Sequence, residues 1–179
     1  FRNVTGVQTC ALPISGATTI SAGTLKLGAS GVISDSSAVQ IANGATFDLN
    51  SNSETVASIA DVSGNTTGAI TLGSGTLTVG GSATTTFSGV VSGAGGALTK
   101  SGSGTLTLSG ASTYTGVTTI SAGTLSVSSL ADGGSNSSIG ASTNVASNLV
   151  INGGTLQYTG SRSEEHTSEL QSRFGISYA

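Results

Sequence analysis

The chain is 179 residues long, 28 of them glycine, with five Lys or Arg against eight Asp or Glu and a net charge of −3. So few basic residues cannot form a stripe that neutralises phosphates, which excludes nucleic-acid binding. No run approaches the roughly twenty apolar residues of a membrane-spanning helix, so a helical membrane protein is excluded as well.

Phe1–Ile14, read as FRNVTGVQTCALPI, has a counterpart at the other end of the chain. RSEEHTSELQSRFG, from Arg162 to Gly175, and FRNVTGVQTCALPI can be encoded by opposite strands of one stretch of DNA. That DNA resembles the adapter ligated to fragments for short-read sequencing. Residues 1–15 and 162–179 are accordingly expected to be translated adapter, foreign to the natural chain, which leaves 16–161 as the repeat region. Cys10, Pro13 and His166, each the sole residue of its type, fall in these ends, as do Glu164, Glu165, Glu169 and the glycosylation-like triplet at Asn3. The repeat region keeps Lys26 and Lys100 against Asp35, Asp48, Glu54, Asp61 and Asp132. With no cysteine it has neither a disulfide frame nor a thiolate metal site.

From residue 24 onward, short runs alternate polar and apolar residues: TLKL (Thr24–Leu27), TLTV (Thr76–Val79), TLTL (Thr105–Leu108), TLSV (Thr124–Val127) and TLQY (Thr155–Tyr158). Successive strand side chains point to opposite faces, so Leu25/Leu27, Leu77/Val79, Leu106/Leu108, Leu125/Val127 and Leu156/Tyr158 share an inward face. A disordered Gly/Ser tract has no reason to keep that phase. Thr and Ser, on the other phase, face water. Each run is entered through a glycine (Gly23, Gly75, Gly104, Gly123, Gly154), read as supplying the positive φ of a tight corner.

The runs also recur. TTISAGTL stands at Thr18–Leu25 and again at Thr118–Leu125, with related turns opening GATFDL at Gly44 and GALT at Gly96. Such spacing fits a β-solenoid of six or seven coils, each roughly 20 to 25 residues long and able to bury its apolar face only against its neighbours. Helical solenoids are excluded by the Gly, Thr and Val content and the lack of a 3.6-residue stripe. A closed barrel is the less natural alternative, since only Asn43-Gly44, Asp132-Gly133 and Asn152-Gly153 offer tight hairpin turns. Leu25, Leu77, Leu106, Leu125 and Leu156 are predicted to be buried. The two ends of such a column present open strand edges, through which self-association is expected.

Gly96–Leu125 reads GALTKSGSGTLTLSGASTYTGVTTISAGTL. This resembles the passenger-associated repeat of bacterial autotransporters. The resemblance rests on Gly96, Leu98, Lys100, Gly102, Gly104, Thr105, Leu106, Leu108, Gly110, Tyr114, Gly116, Gly123 and Leu125. GATTISAGTLKLG at Gly16–Gly28 is similar to the second half of another copy, whereas residues 29–95 depart from the pattern and resemble a degenerate β-helix. The resemblance implies an all-β fold, a right-handed parallel β-helix. It further implies a secreted passenger tethered to the outer membrane of a Gram-negative bacterium by a downstream membrane barrel. Its role there is that of a stalk that assists passenger folding and transport, with adhesion to a host surface or glycan left to other parts of the passenger. It transfers no catalytic, cofactor-binding or metal-binding residue.

The residues themselves offer little chemistry. GGALTKSG around Lys100 lacks the glycines of a phosphate loop, because Ala94 and Thr99 stand where they are needed; Lys100 is read instead as a solvent-facing guard against edge pairing. The alternative function, a β-helical lyase or glycosidase, needs carboxylates converging on one face. Asp35, Asp48 and Asp61 stand thirteen residues apart, a spacing unlike that of the coils, and so are expected at separate corners. Asp132-Gly133-Gly134 suggests calcium, but the nonapeptide that makes such solenoid sites is not repeated. Asn65-Thr66-Thr67 and Asn136-Ser137-Ser138 match the glycosylation triplet at the frequency expected in a Ser/Thr-rich chain. Phe47, Phe87, Tyr114 and Tyr158 are expected to pack the core or its corners rather than form a carbohydrate platform. No enzymatic activity and no small-molecule cofactor is expected.

Overall fold

Alternating residues give each short strand one apolar and one polar side, and a chain of such strands buries the apolar sides only by coiling back over itself. The computed structural model describes residues 2–5, 8–10, 14–63 and 67–161. Pro13, His166, Glu164, Glu165, Glu169, Asn65 and Thr66 lie outside them. The strands run β1 (Arg2–Thr5), β2 (Gln8–Cys10), β3 (Thr18–Ala22), β4 (Thr24–Leu27), β5 (Ala38–Ile41), β6 (Thr46–Asp48), β7 (Glu54–Val56), β8 (Ser58–Asp61), β9 (Ala69–Thr71) and β10 (Thr76–Val79). They continue through β11 (Thr85–Phe87), β12 (Val90–Ser92), β13 (Ala97–Lys100), β14 (Thr105–Leu108), β15 (Thr118–Ile120) and β16 (Thr124–Val127) to β17 (Leu149–Ile151) and β18 (Thr155–Tyr158).

Among the described residues every strand ladder is parallel, as coiling requires. Three faces result. One holds the order β2-β4-β6-β9-β12, reversed along the sheet, and a second β7-β10-β13-β15-β17. The third is made of two sheets, β1-β3-β5-β8 and β11-β14-β16-β18, with β11 lying against β8 at the junction. The chain is thus an all-β parallel solenoid.

Register carries the alternation from coil to coil. Leu25 stands under Phe47, and Phe47 under Ile70; Leu106, Leu125 and Leu156 form one column; Phe87, Leu108, Val127 and Tyr158 form another. These columns make one continuous core. Leu25, Leu77, Leu106 and Leu125 are buried as expected, whereas Leu156 is only half-buried because no described coil stacks on β18. Thr55, Thr78, Thr99 and Thr119 line up on the outside of the second face.

Two expectations need correction. The column is about five coils high, judging by its five-stranded sheets, not six or seven. Leu106 and Leu125 are 19 residues apart, but Leu125 and Leu156 are 31 apart. The extra length is an excursion over residues 128–148, whose Ser137 pairs antiparallel with Ser112. The second correction concerns glycine. Of the five corner glycines, only Gly23 (φ 72°) and Gly123 (φ 64°) have positive φ. Gly75 and Gly104 are needed for a different reason: a Cβ at either would collide with the backbone of the coil before, at Asn52 and Ala83 respectively. The coils stack corner on corner with no room for a side chain.

At the amino-terminal end, Ile14 is 4% exposed and bridges Ile33 in parallel fashion, and β1 and β2 add a rung to β3 and β4. Among the described residues, no helix is long and apolar enough to cross a membrane.

Candidate functional site: dispersed acids and buried charges

Catalysis or metal binding in a β-helix requires charged side chains that converge, so the position of every acid and base decides what the column can do. Asp35 is exposed in the turn before β5. Asp48 lies on the face containing β6, where its Oδ2 is 3.7 Å from Lys26 Nζ and its Oδ1 accepts the Asn50 N–H at 2.8 Å. A part-exposed pair of this kind stabilises by about 1 kcal/mol or less. Asp61 lies on another face, at the end of β8, and Asp132 is exposed in the excursion. The three spaced aspartates are therefore apart, and no group of three or more His, Cys, Asp or Glu stands together among the described residues.

The remaining candidates resolve in the same direction. Ala97–Lys100 is strand, paired on both sides, so its N–H groups are committed to the ladder rather than available to a phosphate. Phe47, Phe87 and Tyr114 are fully buried and Tyr158 is half-buried, so the aromatics pack and form no platform. The Tyr114 hydroxyl is 2.7 Å from Thr118 Oγ1, which in turn donates to the Ile139 carbonyl. This fastens the excursion to the column. Ser137 and Ser138 of the Asn136 triplet are buried beneath it.

Lys100 corrects the reading of a solvent-facing guard. It is 1% exposed, points inward in line with Val79 and Ile120, and its Nζ donates to the Gly102 carbonyl. Burial, with no carboxylate beside it, lowers its pKa from the ordinary lysine value of 10.5. Glu54 is the second inward charge, 2% exposed. Its Oε2 accepts the Val32 N–H at 3.0 Å while Oε1 has no partner. Burial raises its pKa; the Val32 N–H, and the Ile33 and Thr55 N–H groups near the carboxylate, oppose the rise, and the nearby Asp35 adds to it.

Glu54 and Asp61 do related work. Glu54 joins β7 to the Val32 segment of the coil before, where no strand ladder runs. Asp61 Oδ2 accepts the Ser88 N–H at 2.8 Å, joining β8 to the residue after β11 across the junction between the two sheets of the third face. Each carboxylate stands in for a missing ladder carbonyl. Sequence reasoning missed both inward charges, although the signal was present: Lys100 is two residues after Leu98 and Glu54 two before Val56, in phase with the core.

Lys100 has a measurable consequence. Because its folded pKa lies below 10.5, between the two values the unfolded chain holds more protons, and stability rises with pH through that window. Lys100→Met removes the buried charge and is expected to be neutral or stabilising by about 1 to 3 kcal/mol near pH 7. Urea midpoints of the two proteins should then converge as pH approaches 10.5. Parallel stability curves would show that the ammonium is not desolvated in the folded column.

The family described as Passenger-associated-transport-repeat matches residues 13–27 and 98–127, the latter spanning β13 to β16. Over 149 residues the chain is 44% identical to the protein named Adhesin BmaC autotransporter of Brucella suis biovar 1 (strain 1330), covering 82% of this chain. The chain spans 4% of that relative's length. No solved structure matches it.

Proposed function

We propose, given that this chain is a repeat segment of the autotransporter passenger family, that its role is structural: a stalk section that helps its passenger fold and reach the cell surface. The observation that carries this reading is the continuous inward column of Leu, Val, Ile and Phe, with no group of three or more His, Cys, Asp or Glu beside it among the described residues. Stacking on neighbours is what such a unit does best. In this reading the passenger is anchored in the outer membrane of a Gram-negative bacterium by a barrel encoded downstream, and any adhesive contact with a host surface or glycan belongs to other coils. The lyase or glycosidase alternative needs two carboxylates converging on an open face; among the described residues Asp35 is near Glu54, but Glu54 is buried and holds the Val32 N–H.

We further infer that residues 1–15 and 162–179 are translated adapter; Ile14 then fills its place in the core by accident of composition. One experiment addresses both inferences: the source locus, amplified and read in full, then expressed with and without codons 16–161. The frame should run into a membrane-barrel domain and encode neither RSEEHTSELQS nor VTGVQTCALPI. Removing the segment should lower the amount of passenger displayed on intact cells. Undiminished display would sink the stalk reading, and either peptide found in frame would sink the adapter reading.

A further inference from the structure

Two corners of the column carry the same dipeptide, Asn-Gly, in the same setting. Asn43-Gly44 follows β5 and Asn152-Gly153 follows β17; all four residues are exposed and both glycines have positive φ, 71° and 102°. Exposure and local sequence would give them the same chemistry. Their hydrogen bonds differ. Asn43 Oδ1 accepts the Thr67 N–H at 2.9 Å, and the Gly44 N–H donates to the Thr67 carbonyl at 3.4 Å. Thr67 belongs to the following coil, so stacking ties down both the side-chain amide and the backbone nitrogen beside it. At the other corner the Asn152 N–H donates to the Ile120 carbonyl of the coil before, at 2.9 Å. The Asn152 side chain and the Gly153 N–H have no hydrogen-bond partner among the described residues.

We propose that Asn152-Gly153 is a site of spontaneous deamidation, that Asn43-Gly44 is shielded from it, and that the shield is the next coil. The reaction needs no cofactor. The Gly153 nitrogen attacks Asn152 Cγ, forming a C–N bond as it loses its proton. The bond from Cγ to the side-chain nitrogen breaks, and ammonia leaves a five-membered succinimide. Water then opens either carbonyl, giving aspartate or isoaspartate, so that one water is consumed for each ammonia released. Glycine at the second position favours the attack because no Cβ crowds the nitrogen. For the attack, the asparagine side chain must rotate over its own backbone. At Asn43 that rotation first breaks the bond to Thr67; at Asn152 it breaks no bond to any described residue.

The consequence is chemical as well as structural. Conversion adds a carboxylate to a surface poor in charge, at the rung bearing the exposed Val150 and Ile151. The isoaspartyl product also lengthens the backbone by one carbon between β17 and β18, which disturbs the register presented to a further coil.

Peptide mapping by mass spectrometry, after incubating the full chain at mildly alkaline pH, tests this. The Asn152 peptide should gain a single mass unit, with isoaspartate present, at least about tenfold faster than the Asn43 peptide, the factor expected from two hydrogen bonds that must open first. In concentrated urea the two rates should become alike. Thr67→Pro, which deletes the N–H that holds Asn43, should speed conversion at Asn43 and leave Asn152 unchanged. Equal rates in the folded chain, an unmodified Asn152, or a Thr67→Pro chain in which Asn43 stays protected would each overturn the proposal.

Discussion

Leu106→Asp is expected to abolish cooperative folding. Leu106 is 1% exposed and stands in the column it forms with Leu125 and Leu156. An aspartate there replaces contact on both sides with a carboxylate that has no cation within the core, since Lys100 is committed to the Gly102 carbonyl on another face. Burying an unpaired charge costs several kcal/mol even after its pKa rises to neutralise it, on the order of half the stability of an ordinary domain. A solenoid spreads the damage, because each coil is held mainly by its neighbours. Far-ultraviolet circular dichroism with urea titration checks this: the β signal should be lost or the midpoint should fall steeply. An unchanged midpoint would mean that Leu106 does not point inward.

Gly102→Ala should be nearly as damaging although it adds one methyl group. A Cβ at Gly102 would overlap the backbone of Gly80 and Gly81 in the coil before, and backbone cannot rotate away as a side chain does. Forcing the coils apart here also pulls on the carbonyl that receives Lys100. The expected loss is about 3 kcal/mol, the upper part of the range for overpacking. Gly31→Ala is the control. Gly31 has φ 65° but nothing within 4 Å of its would-be Cβ, so it should lose only about 1 kcal/mol, the strain of a left-handed alanine. Thermal melts of the two variants separate crowding from backbone strain; a Gly102→Ala loss no larger than that of Gly31→Ala would show that the coils leave room at Gly102.

That distinction also shows what was legible in the sequence. The inward phase could be read because alternation is a property of single strands, and Leu25, Leu77, Leu106 and Leu125 are all buried as it required. The separation of Asp35, Asp48 and Asp61 was legible because their spacing differs from that of the coils. The reason for Gly75 and Gly104 was not, since close approach between coils is invisible until the coils are superposed. Lys100 was misjudged because the usual preference of charge for water was allowed to outweigh the phase that placed it inside, and Glu54, in the same phase, was given no position at all. The excursion at 128–148 has no alternation of its own, so nothing in its sequence announced that one coil would be half as long again as its neighbours.

The parallel ladders also set how the column responds to a pull along its length. Its strands lie across the axis and their hydrogen bonds run along it, so tension opens the bonds of one rung at a time instead of shearing many together. Each coil released from an end, 19 to 31 residues long, adds roughly 60 to 100 Å of extended chain at about 3.3 Å per residue. A column made this way yields under load by lengthening in steps rather than by parting all at once.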